Sequence, residues 1–109
     1  MTSDRTDEAF WDLAGPLLAQ AGVTRSTMMG HPCLRLDGDF FASWDRQAQR
    51  LVIKLDAASV QDMIERDEAE AFAPAGRAFR EWAAVPTTRR ANWPALLERA
   101  LLAAVGRRG

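Results

Sequence analysis

His31 and Cys33 form an H-x-C pair, so any strand that carries them presents both on one face. Such a pair could begin a zinc site or a thiolate–imidazole nucleophile. The chain holds one histidine and one cysteine in all. A metal shell needs three or four ligands in mutual reach, and a nucleophile pair needs a third group to orient its base. The sequence names neither. A turn histidine and a buried thiol are expected, with no metal, no cofactor and no catalytic set. Asp37 and Asp39 resemble paired carboxylates for acid–base work, but they bracket Gly38 and turn chemistry explains both.

The other chemistry-bearing residues are aromatic and basic. Trp44, Trp82 and Trp93, with Phe40 and Phe41, are a large aromatic load for 109 residues. Exposed rings give nucleic-acid bases a stacking platform, with arginines tracking the backbone, whereas rings at core positions simply pack. Trp82, between Arg80 and the Arg89-Arg90 pair, is the best mixed patch. With Arg77, these residues are the candidate nucleic-acid site: Arg77, Arg80, Trp82, Arg89 and Arg90. Charge is distributed in the same sense. Residues 1–72 carry seven basic and thirteen acidic side chains, a balance of −6, and residues 73–109 carry seven against two, a balance of +5. The net charge of −1 argues against a chain that coats nucleic acid over its whole surface. Two halves of opposite sign mark either a basic binding face or a solvated surface whose signs meet in the fold. Lys54 is the only lysine beside thirteen arginines, a ratio read as a GC-rich genome.

The elements that must position these residues follow from periodicity. Phe10, Leu13, Ala14, Leu17, Leu18 and Ala21 have the spacing of a buried helical stripe. Ser3 or Thr6 can cap that helix, and Gly22 can end it. Pro16 predicts a kink or a second helix starting there. Strands are predicted at Val23–Met29, Cys33–Asp37, Phe40–Trp44 and Leu51–Leu55. Asp37-Gly38 is a hairpin signal, because a type I′ turn needs positive φ at both central residues. Leu34 and Leu36 share one face, and Phe40, Ala42 and Trp44 another. Asp56 caps a helix, with Ser59 as an alternative, that runs through Val60, Met63 and Ile64 to about Glu70. Residues 72–77 are irregular. Phe79–Val85 is a last strand, with Trp82 on one face and Phe79, Ala83 and Val85 on the other. A final helix starts near Asn92, carries Trp93, Leu96, Leu97, Ala100, Leu101, Ala104 and Val105, and closes at Gly106, beyond which Arg107 and Arg108 should fray.

Strands flanked by helices predict α+β. The expected architecture is a single domain, residues 1–109, in which an antiparallel β-meander packs against the N- and C-terminal helices, leaving the other sheet face partly open. The hydrophobic fraction of 48% and charged fraction of 27% suit one ordinary core. No apolar stretch approaches the roughly 20 residues of a membrane span. One cysteine and an acidic N-terminal segment predict a cytoplasmic protein with no membrane partner.

Several motifs in this order resemble a known family. Met28-Met29-Gly30-His31-Pro32, followed by Leu36-Asp37-Gly38-Asp39-Phe40-Phe41-Ala42, is similar to the opening of the MmcQ/YjbR family and of the related TfoX N-terminal domains. Leu51-Val52-Ile53-Lys54-Leu55-Asp56 resembles their next segment. Phe72-Ala73-Pro74-Ala75-Gly76-Arg77 and Glu81-Trp82-Ala83-Ala84-Val85-Pro86 resemble the one after, and Trp93 through Leu102 the closing helix. The resemblance covers roughly residues 5–105 and rests on core and turn residues. It implies a YjbR/frataxin-like fold, a bacterial protein, and DNA as a partner.

These readings favour a small binding protein, DNA-binding by resemblance, over an enzyme. The alternative is a protein- or small-ligand-binding module with no nucleic-acid role. It would use the open sheet face, with Phe41, Trp44, Val52 and Trp82 on it, or a homodimer built on that sheet.

Overall fold

The computed structural model describes residues 5–28 and 30–108, with side chains from residue 7 onward. Six antiparallel strands form one sheet in the order β1-β2-β3-β4-β6-β5. The strands are β1 (Val23–Met28), β2 (His31–Leu36), β3 (Asp39–Asp45), β4 (Arg50–Lys54), β5 (Glu70–Phe72) and β6 (Phe79–Pro86). Helix α1 (Arg5–Leu18) precedes them, α2 (Ala57–Glu65) joins β4 to β5, and α3 (Trp93–Arg108) closes the chain after a 3₁₀ segment at Thr87–Asn92. This is the α+β domain expected, with the N- and C-terminal helices against a sheet. Among the described residues, no helix is long and apolar enough to cross a membrane.

Helix α1 continues through Pro16 as one helix, so no second helix starts there. Pro16 lies two residues from its C-terminal end, so the lost backbone donor falls in the last turn. Phe10, Ala14 and Leu17 are buried, and Ala21 lies outside the helix and is exposed. The capping residue Ser3, the Thr6 side chain and Met29 lie outside the described residues. Gly22 follows with φ +85°, as a terminating glycine should.

The Asp37-Gly38 turn has the positive φ values expected, 50° and 90°, and sets Leu36 opposite Asp39. Further along the same pair of strands, Leu34 pairs with Ala42 and Arg35 with Phe40, so Phe41 is an extra, bulged residue. The bulge separates Phe40 from Ala42 and Trp44, which sequence alternation had put on one face. Ala42 and Trp44 join the core, while Phe40 lies under the Arg35 guanidinium, 4.2 Å from its ring centroid.

The core lies between the sheet and the helices. Trp44 meets Trp93 of α3 at 5.5 Å between ring centroids, and Leu34, Leu36, Leu51, Ile53 and Val85 pack under α1 and α3. Val60 and Met63 bring α2 into the same cluster, beside Leu55, Ala69 and Ala83. Helix α2 stops at Glu65, five residues short of the expected end. Asp67 takes φ +61°, and the Glu68 N–H donates back to the Met63 carbonyl. That left-handed turn frees Glu70–Phe72 to form β5, an edge strand where the expected helix end met the expected irregular stretch. At the other terminus α3 runs past Gly106, and its last residues do not fray. Arg107 donates to Asp39 at 2.9 Å and Arg108 pairs with Asp37.

Candidate nucleic-acid interface

Strand alternation places Arg80 and Trp82 on the same face of β6. Register places Lys54 of β4 directly opposite Trp82, with its Nζ 6.0 Å from the indole centroid. Phe79 begins β6 and pairs with Phe72 across an irregular join to β5. The Phe72 ring lies 6.0 Å from that of Phe79 and 6.4 Å from that of Trp82. Phe79 is 49% exposed and therefore does not share the buried environment of Ala83 and Val85 that simple alternation predicted. Arg77, also exposed, sits in the preceding turn, where the Gly76 N–H donates to the Ala73 carbonyl. Three cations and two accessible rings thus gather at the start of β6.

Arg89 and Arg90 do not join them. They follow the far end of β6, about 20 Å along the strand from Arg80 at roughly 3.3 Å per residue. Arg89 donates to the Asp67 backbone carbonyl at 3.1 Å and borders a concavity that also holds Asp67 and Glu70. A polyanion would meet acidic side chains there. The five residues grouped by sequence therefore fall into a basic, aromatic end (Arg77, Arg80, Trp82) and a mixed-charge end (Arg89, Arg90). Lys54 and Phe79 belong to the first end and escaped sequence reasoning. Only the β4–β6 register brings Lys54 to Trp82.

Two concavities adjoin this end. One, of about 460 Å³, lies between α2 and β6 and is lined by Val60, Ile64, Phe79, Arg80 and Trp82 among others. The second, of about 380 Å³, shares Phe79, Arg80 and Trp82 and adds Lys54 and Glu81. Helix α2 is fixed at this wall by Asp56, whose side chain accepts from the Ser59 N–H at 3.0 Å and the Ser59 hydroxyl at 2.6 Å. Those hydrogen bonds hold the Asp56 carboxyl below the usual carboxylate range.

His31 and Cys33 stand on the opposite face from the α1–α3 core. The Arg46 backbone N–H donates to His31 Nδ1 at 3.4 Å, and His31 Nε2 lies 3.9 Å from Asp45 Oδ1. A neutral His31 therefore carries its proton on Nε2. Cys33 is fully buried, and that burial pushes its thiol pKa up, against a hydrogen bond with Ser26 and the charge of Arg35. Among the described residues, no three His, Cys, Asp or Glu side chains converge to hold a metal. A cleft of about 360 Å³ opens on this face, lined by strand and turn residues alone: Ser43 and Val52 on the sheet, Met28, Phe72 and Pro74 around them, and His31 and Asp45 at the side. Of the residues expected on the open face, Val52 and Trp82 are there, while Trp44 packs into the helix-covered core and Phe41 is fully buried.

The two charge halves partly meet in the fold. Arg107 and Arg108 answer Asp39 and Asp37, and Arg89 answers the turn after α2. Set against protein-family models, curated proteins and solved structures, the chain matches none of them.

Proposed function

We propose that this chain is a non-catalytic binding protein of the MmcQ/YjbR kind and that its ligand is a nucleic acid, held at the start of β6. The observation that carries this reading is the state of the arginines. Arg46, Arg50, Arg66, Arg107 and Arg108 are committed to carboxylates, and Arg25 and Arg35 lie over Trp11 and Phe40. Arg77 and Arg80 have no such partner among the described residues; Arg90 and Arg99 have none either, but only Arg80 shares a strand face with Trp82 and with Lys54, whose Nζ also pairs with Asp39 at 3.7 Å. Uncommitted guanidinium groups beside accessible rings are what a phosphate backbone with stackable bases requires. The quoted motif order supports the family part of the reading, and the single buried cysteine fits a cytoplasmic setting.

So few cations give modest affinity, roughly tens of micromolar at physiological salt, with a log–log salt slope of about −2 to −3. Titrating labelled DNA at about 50 mM and 200 mM salt tests this. Absence of salt-sensitive binding in that concentration range overturns the reading.

A second reading, a small-ligand module, is favoured by the cleft over Ser43 and Val52, whose volume and apolar walls suit a small molecule. Filling it from its exposed rim with Ala48→Trp distinguishes the two. Under the first reading DNA binding is unaffected. The edge strands β1 and β5 also offer a second copy of the chain a place to pair, which a light-scattering mass decides.

A further inference from the structure

We propose, resting on the nucleic-acid reading above, that the groove between α2 and β6 takes single-stranded DNA in preference to duplex. Phe79 exposes about half of a large apolar ring. That ring is backed by Phe72, which also lies against Trp82, so three aromatic side chains cluster with one surface left open. A duplex keeps its base faces stacked inside and would bring only phosphates and groove edges to this surface. It could reach Arg77 and Arg80 but would leave the rings unused. A single strand offers both backbone and base faces, and stacking is then the larger contribution because the cations are few.

The rest of the lining points to the sugar. Ala57, Ala58, Val60, Ile64, Ala71 and Ala78 are apolar, and the amide of Gln61, the neutral polar side chain on the groove, donates to Glu65 at 3.1 Å. A ribose 2′-hydroxyl entering such a mostly apolar groove exchanges its water for few partners, the Gln61 amide oxygen, the Trp82 indole N–H and the Arg80 guanidinium, a cost deoxyribose avoids. Glu81 stands beside Lys54 and Arg80 in the adjoining concavity, so charge alone does not make this end a strong polyanion trap.

Fluorescence anisotropy of a labelled single-stranded pyrimidine DNA, its RNA counterpart and a blunt duplex of equal length tests the proposal, each with the wild-type chain, Phe79→Ala and Phe79→Trp. Single-stranded DNA should bind about tenfold tighter than duplex, Phe79→Ala should remove most of that preference, and Phe79→Trp should keep it. Duplex binding should respond little to either variant. Equal or tighter binding of duplex overturns the proposal while leaving the broader nucleic-acid reading standing. Equal binding of RNA overturns the choice of DNA. Equally effective competition by polyglutamate overturns it in favour of an acidic protein partner. Binding of none of the oligonucleotides overturns the broader reading and this one with it.

Discussion

Arg46 in the β3–β4 turn grips Asp7 of α1 with two parallel hydrogen bonds, Nε to Oδ1 at 3.0 Å and Nη2 to Oδ2 at 2.6 Å. Asp7 is buried, so this is more than a surface pair. It joins the first turn of α1 to a turn 39 residues later and fixes how α1 lies over the sheet. Asp7→Asn removes the charge and one acceptor while keeping the shape. It should cost about 1–2 kcal/mol, between an exposed pair and a fully buried one. Urea denaturation of the variant measures it, and an unchanged midpoint would show that α1 is held by its apolar stripe alone.

Gly22 occupies a second tight junction. Its φ is +85°, and a Cβ there would lie 2.5 Å from Asp37 Oδ1 and 3.2 Å from Leu36 Cδ1. The Gly22 carbonyl also accepts the Asp37 N–H at 2.9 Å. Gly22→Ala should therefore lose about 1–2 kcal/mol from the backbone alone and displace Asp37 from Arg108. Pairing it with Arg108→Ala in a double-mutant cycle should give non-additive losses.

Cys33 gives the pH dependence a sign. Burial raises its folded-state value above the unfolded one of about 8.5. The stabilisation from the neutral thiol is then fully present below about pH 8.5 and is lost as pH rises through the folded value. Stability should fall more steeply above that pH in the wild-type chain than in Cys33→Ala. Alkylation of the native protein by iodoacetamide near neutral pH should be slow until the chain is unfolded.

Asp56 acts in the opposite direction. Its carboxyl is held low by Ser59, so its contribution to α2 is present above the ordinary carboxylate value and fades as pH falls through the lowered one. Asp56→Ala should lower the thermal midpoint at pH 7 and leave it nearly unchanged in strong acid. Because α2 walls the β6 groove, the same variant should weaken oligonucleotide binding more than a substitution at exposed Glu98.

How much was legible in the sequence depends on how local each signal is. The Asp37-Gly38 hairpin and the buried stripes of α1 and α3 rest on neighbours within a few residues, and the fold keeps them apart from their last members, Ala21 and Val105, which are exposed. Strand β5 was not legible, because three residues offer no alternation and the left-handed turn at Asp67 carries no glycine to announce it. The bulge at Phe41 was equally silent. Arg107 and Arg108 look like a fraying tail until the fold sets them beside carboxylates 68 and 71 residues away. For the site, Arg80 and Trp82 were legible as neighbours of like parity. That Arg89 and Arg90 lie apart follows only from the length of β6, and Lys54 enters only through the register of β4 with β6.

The central claim is that nucleic acid is held at the start of β6. Comparing two double variants, Arg77→Ala/Arg80→Ala and Arg89→Ala/Arg90→Ala, against one DNA oligonucleotide across a salt series tests it most directly. Both remove the same charge, one pair at the start of β6 and the other beyond its far end. The first should weaken binding roughly tenfold or more and flatten the salt slope by about 2, while the second should change either quantity little. Equal losses from both pairs, or a wild-type chain that shows no salt-sensitive binding, would contradict the claim.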